Sequence, residues 1–149
     1  MQWILASASP RRKELLAELI DNFDIIPSQA DENLEGAFTP ESLVKALAEL
    51  KAKEVALRPE NAGKMIIGSD TVVAFDGKVL GKPKDEADAF RMLKMLSGKA
   101  HAVYTGVCFA CQGVTALYLL YQAAVLDTIR PCLIHRRAAA DIFRNPFVG

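Results

Sequence analysis

Ser7, Ser9, Arg11 and Arg12 are packed into "LASASPRRKELL", running from Leu5 to Leu16, where a short apolar run turns into the start of a helix. A helix N-terminus gathers free N–H groups and roughly half a positive charge, so each cation in its first turn costs ~0.3–1 kcal/mol when no anion is near. A phosphate reverses that balance, because it accepts hydrogen bonds from amides, hydroxyls and guanidinium groups together. A solvated basic turn behind an ordinary Ser-Pro cap is an equal alternative on this stretch alone.

Asp70 lies inside "MIIGSDTVVAF". An ionised carboxylate in a buried strand is expensive unless it is partnered. Such a group is a candidate base or metal ligand at a strand end in a cleft, or else a buried Asp bonded to nearby amides. Asp31 and Glu32 form a second acidic pair, on a polar Gly-containing loop. Lys82 and Lys84 follow in "LGKPKD", where Pro83 restricts the backbone and aims Lys82. Read singly, these groups are ordinary surface residues. Together they describe a phosphate grip beside carboxylates for a divalent ion, which is the equipment of phosphoryl chemistry on a polyphosphate. The chain has neither the G-x-x-x-x-G-K-[ST] of a P-loop nor the G-x-G-x-x-G of a dinucleotide fold.

The elements that must position these groups alternate between strand and helix. Trp3 to Ala6 reads as a buried strand, and Ser9 and Pro10 cap a helix whose apolar stripe is Leu15, Leu16, Leu19 and Ile20. Phe23 to Pro27 reads as a second strand. Thr39 and Pro40 open an amphipathic helix to about Leu57, with Leu43, Leu47 and Leu50 inward. "KMIIGSDTVVAFDGKVL" is a strand, an Asp76-Gly77 hairpin turn and a returning strand. Asp85 starts a helix carrying Phe90, Leu93 and Leu96, closed by Gly98, and "HAVYTGVCFA" is a further strand. The fold class is α/β.

Composition narrows the functions. With 18 basic and 18 acidic residues there is no charge excess to draw the chain onto nucleic acid or an anionic membrane. Three cysteines and no charged, apolar leader predict a reducing, cytoplasmic setting. Cys108 and Cys111 have C-x-x-C spacing but no second ligand pair, so two half-buried thiols are expected rather than a metal or redox site. From Val114 to Gly149 there is no lysine and no glutamate. The uncharged run from Val114 to Leu126 is thirteen residues, short of the ~20 that span a bilayer.

"LASASPRRKELL", the "ADE" ending at Glu32, and "GSDTVVAFDGKVLGKPKDEADAFRMLKMLSGKAHAVYTGV" resemble the Maf family of nucleoside triphosphate pyrophosphatases, over roughly Ile4 to Val107. The resemblance implies a two-lobed Maf/ITPase-like fold around a twisted mixed sheet, with the nucleotide in the cleft. It implies cleavage between the α- and β-phosphates, giving monophosphate and pyrophosphate, with Mg or Mn as the divalent metal. "SPRRKELL" with "SDTVV" looks like the branch acting on dTTP and UTP, since the branch acting on 7-methyl-GTP typically has Gln in place of Thr71. Carried over residue by residue, Asp70 matches the proton acceptor for the attacking water. Ser7, Arg11, Arg12 and Lys82 match phosphate-facing residues, and Glu32 joins Asp70 near the metal. Arg12 and Thr71 fall at or beside positions linked with substrate choice.

Residues 1–113 are thus expected to be the Maf-like part, and 114–149 a tail without a family match, as a truncated or frame-shifted reading frame would give. The family's second half, with its share of the cleft and of the base pocket, is expected to be incomplete here, leaving the chain slow or inactive. A nucleoside triphosphate is the expected partner, with no nucleic acid or membrane, and a homodimer is left open. The alternatives to an active enzyme are a non-catalytic nucleotide-binding or septum-inhibiting module, and an inactive truncated product.

Overall fold

Three short apolar segments and three long ones build a single mixed sheet in the computed structural model, which describes residues 1–125. In chain order the elements are β1 (Trp3–Leu5), α1 (Pro10–Ala17), β2 (Asp24–Ile25), α2 (Pro40–Ala56), β3 (Met65–Phe75), β4 (Lys78–Leu80), α3 (Glu86–Leu96), β5 (Ala100–Cys111) and β6 (Val114–Val125). The sheet order is β2-β1-β3-β5-β6, with β4 paired to the far end of β3. β1 runs parallel to both β2 and β3, whereas β3–β5 and β5–β6 are antiparallel. The Asp76-Gly77 turn forms as expected: both residues have positive φ, 51° and 72°, which suits the twist of a two-residue hairpin. Gln112 and Gly113 repeat that device, at 49° and 81°, so β6 continues the sheet past Gly113. Cys132 and the rest of the last segment lie outside the described residues.

The register of β3 against β5 is unbroken from Ile66↔Ala110 to Ala74↔Ala102, so side chains alternate strictly between the two faces. Ile66, Cys108 and Ala110 face α2 and join Ala48, Ala52 and Val55 in one apolar cluster. Val73 and Val103 face the other way and join Ala89, Met92, Leu93 and Leu96 of α3 in a second. The two helices therefore cover opposite faces of the same ladder.

Two expected stripes are corrected. α2 does not turn Leu43 and Leu50 fully inward: its buried face is Val44, Leu47, Ala48, Lys51, Ala52 and Val55, and the two leucines flank it. The reason is how closely the helix sits. A Cβ on Gly68 would lie 2.3 Å from the Ala48 carbonyl oxygen, and one on Gly106 2.3 Å from that of Val44. Small residues must meet at this contact, and the bulky leucines are displaced to its margins. α1 is shorter than its stripe. It ends at Ala17 and has no buried residue; Leu15 is 44% and Leu19 84% exposed.

Gly106→Ala is expected to destabilise the chain by about 1–3 kcal/mol, the usual cost of forcing atoms into a filled contact. A urea midpoint unchanged from that of the parent chain would show that α2 has room to spare.

Candidate active site

The first helix begins as its sequence requires. Ser9 caps α1, its Oγ accepting the Arg12 N–H at 3.4 Å, and Pro10 takes the first helical position. Ser7 lies just past β1, and its Oγ accepts from the Ser9 N–H at 3.2 Å and from Arg12 Nη1 at 3.2 Å. Arg12 is thereby folded back over the end of its own helix. Its Nη2 is buried and has no hydrogen-bond partner among the described residues. Burial pushes the Arg12 guanidinium below its ordinary value, opposed by the negative charges of Asp70 and Glu32.

Asp70 sits in the middle of β3 rather than at a strand end, 8% exposed. Its partner is Lys51 on α2: Nζ donates to Asp70 Oδ1 at 2.7 Å, with both side chains 11% exposed. The same ammonium lies 3.3 Å from Glu32 Oε2, on the loop between β2 and α2. Lys51 is the one residue of this candidate site that the sequence did not single out. Its signal was present, as a lysine within the apolar face of α2, four residues after Leu47 and four before Val55. A charge there requires a buried counter-charge, and Asp70 was the unpaired acid.

A cavity of about 170 Å³ joins these groups, lined by Ser7, Ser9, Arg12, Glu32, Lys51 and Lys82 among others. Three cations face one carboxylate on its walls, with Asp70 behind Lys51. The cavity suits an anion. Two of the expected residues stand apart from it. Arg11 is exposed and paired with Glu14 at 3.4 Å. Thr71 lies on the opposite face of β3 from Asp70, its Oγ1 3.0 Å from that of Thr105 on β5.

Asp70 and Glu32 reach one ammonium, so their oxygens could share a hard divalent ion. Among the described residues no group of three or more His, Cys, Asp and Glu is placed to hold one alone. Such a donor set fits magnesium or manganese, which take one or two carboxylates and complete their shell with phosphate and water oxygens. The C-x-x-C pair does not compete for it. Alternation along β5 turns Cys108 and Cys111 to opposite faces, and Cys108 is fully buried rather than half-buried. Burial pushes its thiol up to about 11.

Replacing Lys51 with Met should cost about 3 kcal/mol by urea denaturation, because it strands the Asp70 charge; adding Asp70→Asn should recover most of that loss. A double mutant no more stable than Lys51→Met would refute the pairing. Cys108 gives a pH signature. Between its ordinary 9.0 and about 11 the unfolded chain ionises while the folded one does not, so its contribution to stability falls as pH rises through that window. Iodoacetamide at pH 8.5 should accordingly label Cys111 well before Cys108, as read by peptide mass spectrometry.

The profile of the Maf-like protein family matches residues 2–127. The chain is 53% identical over 110 residues to a dTTP/UTP pyrophosphatase of Thermococcus gammatolerans, covering 74% of this chain and 57% of that protein. It is likewise 53% identical over 112 residues to a dTTP/UTP pyrophosphatase of Clostridium novyi, covering 72% of this chain and 56% of the other. It therefore spans about half to three fifths of the length of the curated relatives it matches. Two solved structures share the fold: the Staphylococcus aureus Ham1 protein, with a TM-score of 0.58, 15% identity and coverage of 84% of this chain and 71% of that one; and a nucleoside-triphosphatase / dITP/XTP pyrophosphatase of Mycobacterium abscessus, with a TM-score of 0.52, 16% identity and coverage of 84% and 72%. The mixed sheet is that of the Maf/ITPase-like α/β fold, and the matched span from Gln2 through β6 makes this chain a member of the Maf family.

Proposed function

We propose that the cavity binds the phosphates of a nucleoside triphosphate, and that the chain belongs to an enzyme cleaving dTTP and UTP to the monophosphate and pyrophosphate. The observation that carries this reading is Arg12. Arg12 lines the cavity, and among the described residues its buried Nη2 has no hydrogen-bond partner and no carboxylate is bonded to its guanidinium. A buried, desolvated cation without an anion is costly, and a phosphate would supply the missing acceptors. The names of the relatives, dTTP/UTP pyrophosphatases, support the substrate choice.

Arg12, Lys51 and Lys82 would share the charge of the phosphate chain, and Ser7 would orient Arg12 through its Oγ. Asp70 is held by Lys51 through Oδ1. A carboxylate keeps further lone pairs when one oxygen is bonded. Asp70 is thus the group to accept the proton of the attacking water as oxygen attacks phosphorus and pyrophosphate departs. Glu32 and Asp70 would hold the divalent metal, which when bound neutralises phosphate charge and polarises the P–O bond. Arg11 contributes to the electrostatic approach rather than to direct grip, given its pairing with Glu14. Thr71 acts on substrate choice through the strand, by bracing β3 on β5 beneath Asp70. The free thiols of Cys108 and Cys111 are in keeping with a cytoplasmic setting.

Arg12→Ala should weaken UTP binding in magnesium about tenfold or more by calorimetry, the worth of lost charge-assisted hydrogen bonds. In a version extended to the full length of its relatives, Asp70→Asn should lower pyrophosphate release by at least ~100-fold while UTP affinity falls far less. Unchanged UTP affinity in the Arg12 variant would remove the guanidinium from the site. Diphosphate and orthophosphate as products would contradict the assigned bond.

A further inference from the structure

Glu32 reaches Lys51 from a loop with little regular structure, so something must hold that loop at its distance. The described contacts single out Glu54, one turn beyond Lys51 on α2. Glu54 Oε2 accepts from the Ser28 hydroxyl and from the Gln29 backbone N–H, both at 2.9 Å. Ser28 Oγ in turn accepts the Ala30 N–H at 3.1 Å, two residues before Glu32. Arg58 completes the arrangement. Its Nε and Nη2 bond Glu54 Oε1 at 2.9 and 2.8 Å, and its Nη2 also donates to the Pro27 carbonyl at 3.4 Å. Four consecutive loop residues, Pro27 to Ala30, are thus tied directly or through Ser28 to one carboxylate–guanidinium pair on the helix that carries Lys51.

We propose that Glu54 is a positioning residue: it fastens the Pro27–Ala30 segment to α2, and so sets the approach of Glu32 to Lys51 and the shape of the phosphate cavity. Several features support this beyond the contacts themselves. Pro27 and Ser28 line the cavity beside Glu32, so the tether and the cavity wall are one piece of chain. Burial would push the Glu54 carboxyl up, but the bonds from Gln29, Arg58 and Ser28 together hold it below its ordinary value, as expected of a carboxylate kept charged to accept them. A backbone N–H donor gives the tether direction, since Gln29 cannot leave Glu54 without moving the main chain that leads to Glu32. Fastening depends on contacts within this chain alone. Its consequence for turnover rests on the pyrophosphatase reading.

The test uses the 149-residue chain, Glu54→Ala, the conservative Glu54→Gln, Glu32→Ala, and the double variant Glu54→Ala/Glu32→Ala. Hydrogen exchange at the Gln29 amide should quicken about tenfold or more in Glu54→Ala and less in Glu54→Gln, which retains one acceptor oxygen. Acylation of Lys51 by a small anhydride, read by peptide mass spectrometry, should rise in Glu54→Ala to the level of Glu32→Ala. It should rise no further in the double variant, because both changes remove the same Glu32 contact from an ammonium that Asp70 still holds. Magnesium–UTP affinity should follow the same non-additive pattern. Unchanged Gln29 exchange in Glu54→Ala, or additive Lys51 labelling in the double variant, would overturn the proposal. Failure of the parent chain to bind UTP would instead count against the proposed function, leaving exchange and labelling to decide the role of Glu54.

Discussion

The close seating of α2 on the β3–β5 ladder is the contact on which the rest of the arrangement depends. Gly68 and Gly106 let the Ala48 and Val44 carbonyls come as near as the sheet backbone allows. A helix held that closely brings Lys51 down onto the sheet, within 2.7 Å of Asp70. Had either glycine carried a side chain, the helix would stand off and the ammonium would miss the carboxylate. The core and the candidate active site are therefore set by one packing decision. Ala52 and Val55 bury apolar surface on the same face that delivers the charge.

Burial has opposite consequences for the two cations nearest the centre of the site. Lys51 is matched by Asp70 and by the more exposed Glu32, so its desolvation is offset within the chain. Arg12 is matched only in part, by the Ser7 hydroxyl and the distant fields of the same two acids. A protein that satisfied every buried polar atom internally would have little use for an anion here. On the proposed reading, the nitrogen left without a partner among the described residues makes this end of the cavity receptive, and the cap geometry at Ser9 fixes where α1 begins.

Loops complete what the sheet and helices start. The stretch from Pro27 to Glu32 has no ladder to direct it, and its place is taken from side chains of α2. α2 thus serves the cavity twice, through Lys51 directly and through Glu54 by way of the loop. On the other face, α3 packs against Val73 and Val103 and supports the ladder from behind.

Local chemistry made much of this legible in advance. Ser9-Pro10, Thr39-Pro40 and Asp85 each cap the helix expected of them, because a cap is satisfied by atoms within a few residues. The Asp76-Gly77 hairpin and the Gly98 helix stop were likewise readable from backbone freedom alone. So was the chemical character of the site, since serines and arginines at a helix start and an acid in an apolar strand are informative without coordinates. The tertiary structure decided which of those groups meet. It moved the buried face of α2 from Leu43 and Leu50 to the small residues around Lys51, gave Asp70 its partner, turned Thr71 to the opposite face, and left Arg11 outside the cavity. Those outcomes turn on separations in space between residues far apart in the chain, on how near two backbones can approach and which way a strand presents its alternate side chains. No short window of sequence carries that information.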